Sequence, residues 1–160
     1  MANAESLPLR ELLDVAPDGF LVIDATGDIV WANQTAHTLF GYLDVELIGR
    51  PIDDLVPGRL RSLHVNHRAA YQENPHTRSM GLGLDLLARK KDGSEFPVEI
   101  GLSPLHTRDG VLVTAVIRDM STRKKLLEER NVLALELETE RERDRIAMDL
   151  HDGVMQDVYA

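Results

Sequence analysis

MGLGLDLLARKKDGSEFPVEIGL, Met80 to Leu102, is the stretch that decides the fold. Its first half alternates strictly, with Met80, Leu82, Leu84 and Leu86 on one side and Gly81, Gly83 and Asp85 on the other. Successive residues of a strand point to opposite faces, so this spacing predicts a strand from about Met80 to Lys90. Lys91-Asp92-Gly93-Ser94 is a turn, and Phe96, Val98, Ile100 and Leu102 resume the alternation on a second strand. Arg108-Asp109-Gly110 turns the chain again into VLVTAVIRD, Val111 to Asp119. Three strands joined by short turns form an antiparallel meander with one face to bury.

Upstream, Ser6 followed by Leu9, Leu12 and Leu13 predicts a short capped helix packing its leucines on something downstream, ended by Pro17-Asp18-Gly19. FLVID, from Phe20 to Asp24, and IVWAN, from Ile29 to Asn33, flank the Thr26-Gly27 turn and make a hairpin. Asn33 is placed to cap a helix in which Ala36, Leu39 and Phe40 share a face, broken by Gly41-Tyr42. Short helices are expected over Asp44 to Ile48 and Ile52 to Val56. A longer one over Arg59 to Tyr71 sets Leu60, Leu63, His64, His67 and Tyr71 on one face, turning two histidines inward. Two strands, several helices and three strands give an α+β class: a five-stranded antiparallel sheet with helices on one face.

The 160 residues, 43% hydrophobic, suffice for one ordinary core and an extension. A net charge of -9 without a basic patch argues against nucleic acid as a partner. The absence of cysteine excludes disulfides, Cys-ligated metal centres and a cysteinyl-flavin photosensor, and fits a cytoplasmic location. MANAESLPLRELL lacks the basic and apolar runs of a signal peptide, and no window is apolar for long enough to predict a membrane segment.

ERDRIAMDLHDGVMQD, Glu142 to Asp157, carries the candidate chemistry. Ile146, Ala147, Leu150, Val154 and Val158 keep the spacing of one helix face, a seam that wants a partner helix. His151 sits at its edge beside Asp152, and a neutral imidazole nitrogen is a usable nucleophile. Arg145 through Gln156 resembles the sensor histidine kinases whose dimerisation helix reads R-I-A-x-D-L-H-D-x-x-x-Q. The resemblance implies that His151 is the phosphoacceptor attacking the γ-phosphate of ATP, that Asp152 is its acid or base, and that Gln156 assists. It also implies a homodimer, an ATP-binding kinase domain with Mg²⁺, and a response regulator as acceptor. The sequence contains no nucleotide-binding pattern such as GxxxxGK[ST], so the chain by itself is expected to be inactive as a kinase. It stops at Ala160 within an apolar-periodic helix that has no Gly or Pro terminator, which leads us to expect a longer parent protein. Between Ser121 and Arg143, Leu126, Leu133 and Leu137 are spaced by seven and four, suiting a coiled coil that lapses at Glu140 and Asp144.

A second resemblance, to PAS sensor domains, spans roughly Glu5 to Arg123. It rests on D-x-x-G-x-I-x-x-x-N (Asp24 to Asn33), LFGY (Leu39 to Tyr42), ELIGRP (Glu46 to Pro51), RKKDGSEFPVEI (Arg89 to Ile100) and RDMS (Arg118 to Ser121). It implies a five-stranded sheet cupping small helices around a ligand or cofactor pocket. The expected division is an N-terminal helix over 1–16, the PAS domain over 17–122, and over 123–160 a linker helix that begins the phosphoacceptor helix. Within the PAS stretch, P-x-x-L-R-x-x-H at Pro57 to His64 resembles haem-binding gas sensors, which implies haem b with His64 as the iron ligand. Oxygen-sensing members place an arginine where this chain has Leu84; an apolar wall there favours CO, NO or redox sensing over oxygen. Leu82 and Leu84, with Met80 and Leu86, equally suit the wall of an apolar pocket or plain core, and plain core or a small ligand is the preferred reading. Two other classes stay open: a PAS module serving only as a dimerisation and protein-interaction platform, and an independent acid-base or metal enzyme built on His64, His67, His76 and His106, for which no completing metal ligand stands at a recognisable spacing.

Overall fold

A computed structural model of the chain describes residues 9–81 and 86–158. Its elements are α1 (Leu9–Asp14), β1 (Gly19–Ile23), β2 (Ile29–Ala32), α2 (Gln34–Phe40), α3 (Asp44–Leu47), two single 3-10 turns (Ile52–Leu55 and Gly58–Leu60), α4 (Arg61–Glu73), β3 (Arg78–Met80), β4 (Leu87–Arg89), β5 (Glu95–Thr107), β6 (Gly110–Asp119) and α5 (Ser121–Val158). Contacts divide the chain between Ser121 and Thr122. The first unit is an antiparallel sheet in the order β2-β1-β6-β5-β3, with β4 also paired to β5. Residues 122–158, the second unit, belong to α5 alone.

The predicted third strand is broken. β3 pairs Met80 with Ile100, whereas β4 pairs Leu87 with Pro97. The two registers do not run on from one to the other, so β3 and β4 are not one continuous ladder with β5. The break starts at Gly81, whose φ of +105° suits glycine and whose added Cβ would lie 3.0 Å from the Val98 carbonyl oxygen. Pairing resumes where the Val98 amide donates to the Leu86 carbonyl at 3.0 Å. The turn between β4 and β5 is the expected one: the Asp92 carboxylate accepts from the Ser94 amide and hydroxyl at 2.8 and 2.6 Å.

The core lies between the sheet and α2 and α3. Leu21 and Ile23 of β1, Val98 of β5, Ala115 and Ile117 of β6, and Ala36, Phe40 and Leu47 of the helices are all buried. Phe40 meets Phe96 edge to face with ring centroids 5.7 Å apart. Ala36, His37 and Phe40 are the buried residues of α2, so His37 is inside and Leu39 only half-buried, a shift of the expected face by one residue. The leucines of α1 do not pack as expected: Leu12 is 46% exposed and Leu13 half-buried. What holds α1 is polar. The Asp14 carboxylate accepts from the Gln34 amide at 2.9 Å, and the Asn33 side-chain amide donates to the Leu13 carbonyl at 2.6 Å.

Asn33 does more than cap α2. Its Oδ1 accepts from the Ala36 amide at 2.9 Å, the cap expected from sequence, and also from the Phe20 amide at 2.8 Å. Its Nδ2 also donates to the Asp18 carbonyl at 3.1 Å. Asn33→Ala would leave these partners unpaired in a site with 0% exposure, so a loss of about 3 kcal/mol or more is expected, read as a fall in the urea midpoint. Asn33→Asp should not rescue it, because a carboxylate oxygen would face the Leu13 and Asp18 carbonyls.

The hairpin turn has a second anchor in Asp24, whose Oδ1 accepts from the Thr26 hydroxyl at 2.6 Å and the amides of Thr26, Gly27 and Asp28. The Thr26 hydroxyl bond and these amides hold its carboxyl below the ordinary value of 3.8. A depressed folded pKa stabilises the fold above the unfolded value, and this contribution is lost as pH falls through the folded one. Asp24→Ala should therefore be less stable than the parent by about 1–3 kcal/mol at neutral pH, with the gap closing only below about pH 3.8.

Candidate functional site

The same sheet face that packs on α2, which contributes Phe40, also borders open space. A cavity of about 260 Å³ lies between that face and α4. Ile23, Ile100, Leu102, Val113, Ala115 and Ile117 line it from the long strands, and Met80, Leu86 and Ala88 from around the break in the third strand. Strand register explains the set: Leu102 faces Ala115, Ile100 faces Ile117 and Ile23 faces Val113. Of the face that suited either a pocket wall or plain core, Met80 and Leu86 line the cavity. Leu82 and Leu84, the other wall residues expected, lie outside the described residues.

α4 supplies the opposite wall with Leu60 just before it and Leu63, His64, His67, Arg68 and Tyr71 along it. It is held by polar pins as much as by packing, for Leu63 remains 51% exposed. The His64 Nδ1 lies 2.5 Å from Asp53 Oδ1; an ionised carboxylate only accepts, so Nδ1 is the donor of this bond. Arg68 donates to Asp53 Oδ2 at 3.2 Å and to the Thr26 carbonyl at 2.8 Å, and Gln72 donates to the Ala25 carbonyl at 2.6 Å. Gly27 makes the second of these anchorages feasible: at φ +97° it brings bare backbone against the Arg68 guanidinium, which any Cβ would strike.

Of the histidines singled out by sequence, His64 and His67 both border the cavity, His64 half-buried and His67 exposed. The expectation that both turn inward thus holds for one alone. His76 stands off to the side, its ring 5.7 Å from that of Tyr71, and His106 is on the exposed far end of β5. No group of three or more His, Cys, Asp or Glu side chains suited to a metal ion occurs among the described residues. Asp53, Arg68 and Arg78 were not anticipated. Arg68 was within reach of sequence reasoning, being one helical turn beyond His64; Asp53 and Arg78 approach only through the tertiary fold.

The donor chemistry suits a haem: a cavity-lining imidazole whose Nδ1–H is held by a carboxylate is the arrangement that orients a metal-ligating histidine. The space does not. About 260 Å³ falls below the roughly 300–1,000 Å³ of sites for drug-sized ligands, so α4 would have to stand farther from the sheet to admit the macrocycle.

The other candidate group lies in the second unit. α5 is helical from Ser121 to Val158, so the backbones of His151, Asp152 and Gln156 are all helical; their side chains lie outside the described part. Leu126, Leu133 and Leu137 are 60%, 59% and 56% exposed in the single chain. No helix among the described residues is long and apolar enough to cross a membrane.

Similarity to known proteins agrees with this architecture. The sensor protein FixL of Bradyrhizobium diazoefficiens is 28% identical over 113 residues, 71% of this chain and 22% of that protein. The oxygen sensor protein DosP of Escherichia coli is 32% identical over 103 residues, 64% of this chain and 13% of that protein. The cell-division control histidine kinase PdhS of Brucella ovis is 29% identical over 122 residues, 76% of this chain and 12% of that protein. The chain thus spans less than a quarter of the length of each of these relatives. The model of the PAS fold matches residues 8–120, well over half of the sequence. With its antiparallel sheet, its short helices and the cavity between them, the chain belongs to the PAS fold family.

Proposed function

We propose that the chain is the sensory and dimerisation part of a cytoplasmic two-component sensor histidine kinase: a small ligand in the PAS cavity controls phosphorylation of His151. The observation that carries this reading is the unbroken helix. β6, which lines the cavity through Val113, Ala115 and Ile117, ends at Asp119, and two residues later α5 begins the run that contains His151. At 1.5 Å per residue, Ser121 and His151 are about 45 Å apart along the helix axis. The exposed leucine stripe and the seam from Ile146 to Val158 suit a parallel partner helix from a second copy. The similarity to PdhS supports the kinase assignment. The division into an N-terminal helix (1–16), a sensor domain (17–122) and a helical linker with the phosphoacceptor segment (123–160) belongs to the same proposal.

In this reading a ring nitrogen of His151 attacks the γ-phosphorus of ATP and ADP leaves, with nucleotide and Mg²⁺ held by a separate kinase domain. Asp152 orients the imidazole and stabilises its developing positive charge, and Gln156 assists. The phosphoryl group then passes to an aspartate of a response regulator. With that kinase domain and Mg-ATP supplied, the protein should acquire acid-labile phosphate; His151→Ala should remove all of it, and Asp152→Asn should slow it by about two to four powers of ten. Phosphate on the His151→Ala protein would overturn the assignment, and a full rate in Asp152→Asn would leave Asp152 a structural residue.

The His64–Asp53 pair favours a second reading, a haem-based gas or redox sensor, which the similarity to the oxygen sensor DosP also supports. A bound haem would supply an iron centre for a diatomic gas or an electron, and His64 would hold it. Protein made with haem supplied during expression should then show a Soret band that His64→Ala abolishes or rearranges. A colourless protein under those conditions ends the haem reading and leaves the small-ligand one.

A further inference from the structure

Arg78 is the anomalous side chain at the cavity. It stands on β3 opposite Leu102, two residues before Met80 opposite Ile100, and all four border the cavity. Its residue is half-buried, its Nε is buried without a hydrogen-bond partner, and no carboxylate among the described residues forms an ion pair with it. Its guanidinium lies over the Tyr71 ring, whose centroid is 5.1 Å from Cζ. The Tyr71 hydroxyl is already used, donating to the His76 carbonyl at 2.7 Å. Arg68 also borders the cavity with a buried, unpartnered Nε, although its terminal nitrogens are engaged by Thr26 and Asp53.

The carboxylates nearby are committed. Asp53 serves both His64 and Arg68, and Asp24 serves the amides of its own turn. A guanidinium stays charged at any physiological pH, and a half-buried cation without an anion is costly unless something completes it. Its planar fork matches a carboxylate with two parallel hydrogen bonds. Most of the remaining wall is hydrocarbon and asks for an apolar body, which the volume of about 260 Å³ keeps small.

Resting on the reading of this cavity as the sensory pocket, we propose that its ligand is a small carboxylic acid with an alkyl or aryl body, its carboxylate held by Arg78. The test is calorimetric titration of the whole chain with matched pairs, hexanoate against hexanol and hydrocinnamate against hydrocinnamyl alcohol. The acids should bind about tenfold or more tightly than the alcohols, the worth of a charge-assisted hydrogen bond. Arg78→Met should bring the acid down to the alcohol while leaving alcohol affinity unchanged, which also shows that the variant is folded, and Arg78→Lys should keep part of the gap. Equal affinity of acid and alcohol in the parent protein, or a gap that survives Arg78→Met, overturns the anionic anchor and leaves the sensory pocket standing. Binding by neither member of either pair overturns both.

Discussion

One buried amide side chain fixes the relation between the N-terminal segment, the first hairpin and the first helix of the sheet's cover. Asn33 satisfies two amides and two carbonyls from four separate places in the chain: Phe20, Ala36, Leu13 and Asp18. Its own amide donates to the Phe20 carbonyl, so that β1 and β2 are locked in register at the point where α2 starts. With the start of α2 fixed, Phe40 at its end reaches Phe96, and the Phe40 carbonyl accepts from the Lys91 amide at 2.9 Å. Lys91 also binds the Glu46 carboxylate at 2.7 Å, joining α3 to the turn between β4 and β5. The amino-terminal hairpin and the carboxy-terminal meander thus meet through a chain of contacts that begins at one asparagine.

The cavity persists because α4 is not drawn onto the sheet by apolar burial alone. Its pins reach the hairpin turn through Arg68 and Gln72 and the first 3-10 turn through the Asp53 bonds of His64 and Arg68. Hydrogen bonds have a fixed length, whereas hydrophobic contact rewards any further closure. A helix tied at polar points along its length can therefore stand off the sheet, leaving Leu63 half in water and the strands' inner residues without a full complement of neighbours. Small side chains opposite, Ala88 and Ala115, add to the gap.

Much of this was legible from local pattern. The hairpin turns, the Asn33 cap, the short helices and the class of the fold follow from residue spacing and turn chemistry, because those forces act within a few residues. The break in the third strand was not. Met80, Leu82, Leu84 and Leu86 keep a perfect period of two, yet at Gly81 the backbone takes a positive φ close against β5, in a contact with residues roughly seventeen positions later that no local period reveals. His37 also escaped: it is buried on α2, where Leu39 packs only partly buried against the core. His64 was found through its motif, but its partner Asp53 lies eleven residues away on a separate turn, where no periodicity links the two. Arg78 belongs to no pattern in the sequence; the register with Leu102 brings it to the cavity.

The proposed sensory role asks how a ligand could be felt at the helix that carries His151, and the strand order narrows the answer. β6 lies between β1 and β5, and its inner residues Ala115 and Ile117 border the cavity, only a few positions before the chain becomes α5. The end of that strand is held firmly. Arg118 donates to both oxygens of Asp18 at 3.0 and 2.8 Å, the Met120 amide donates to the Pro97 carbonyl at 2.9 Å, and the Asp119 carboxylate accepts from the Ser121 amide at 2.8 Å. A ligand pressing on Ala115 and Ile117 cannot slide β6 without also disturbing these bonds, since each is short and directional. They are therefore the bonds such a ligand would have to bias, and a switch of this kind needs a bistable element rather than a gradual deformation. Because α5 continues without a break from that junction, a small rotation at Asp119 would be carried along the helix to the turn that contains His151.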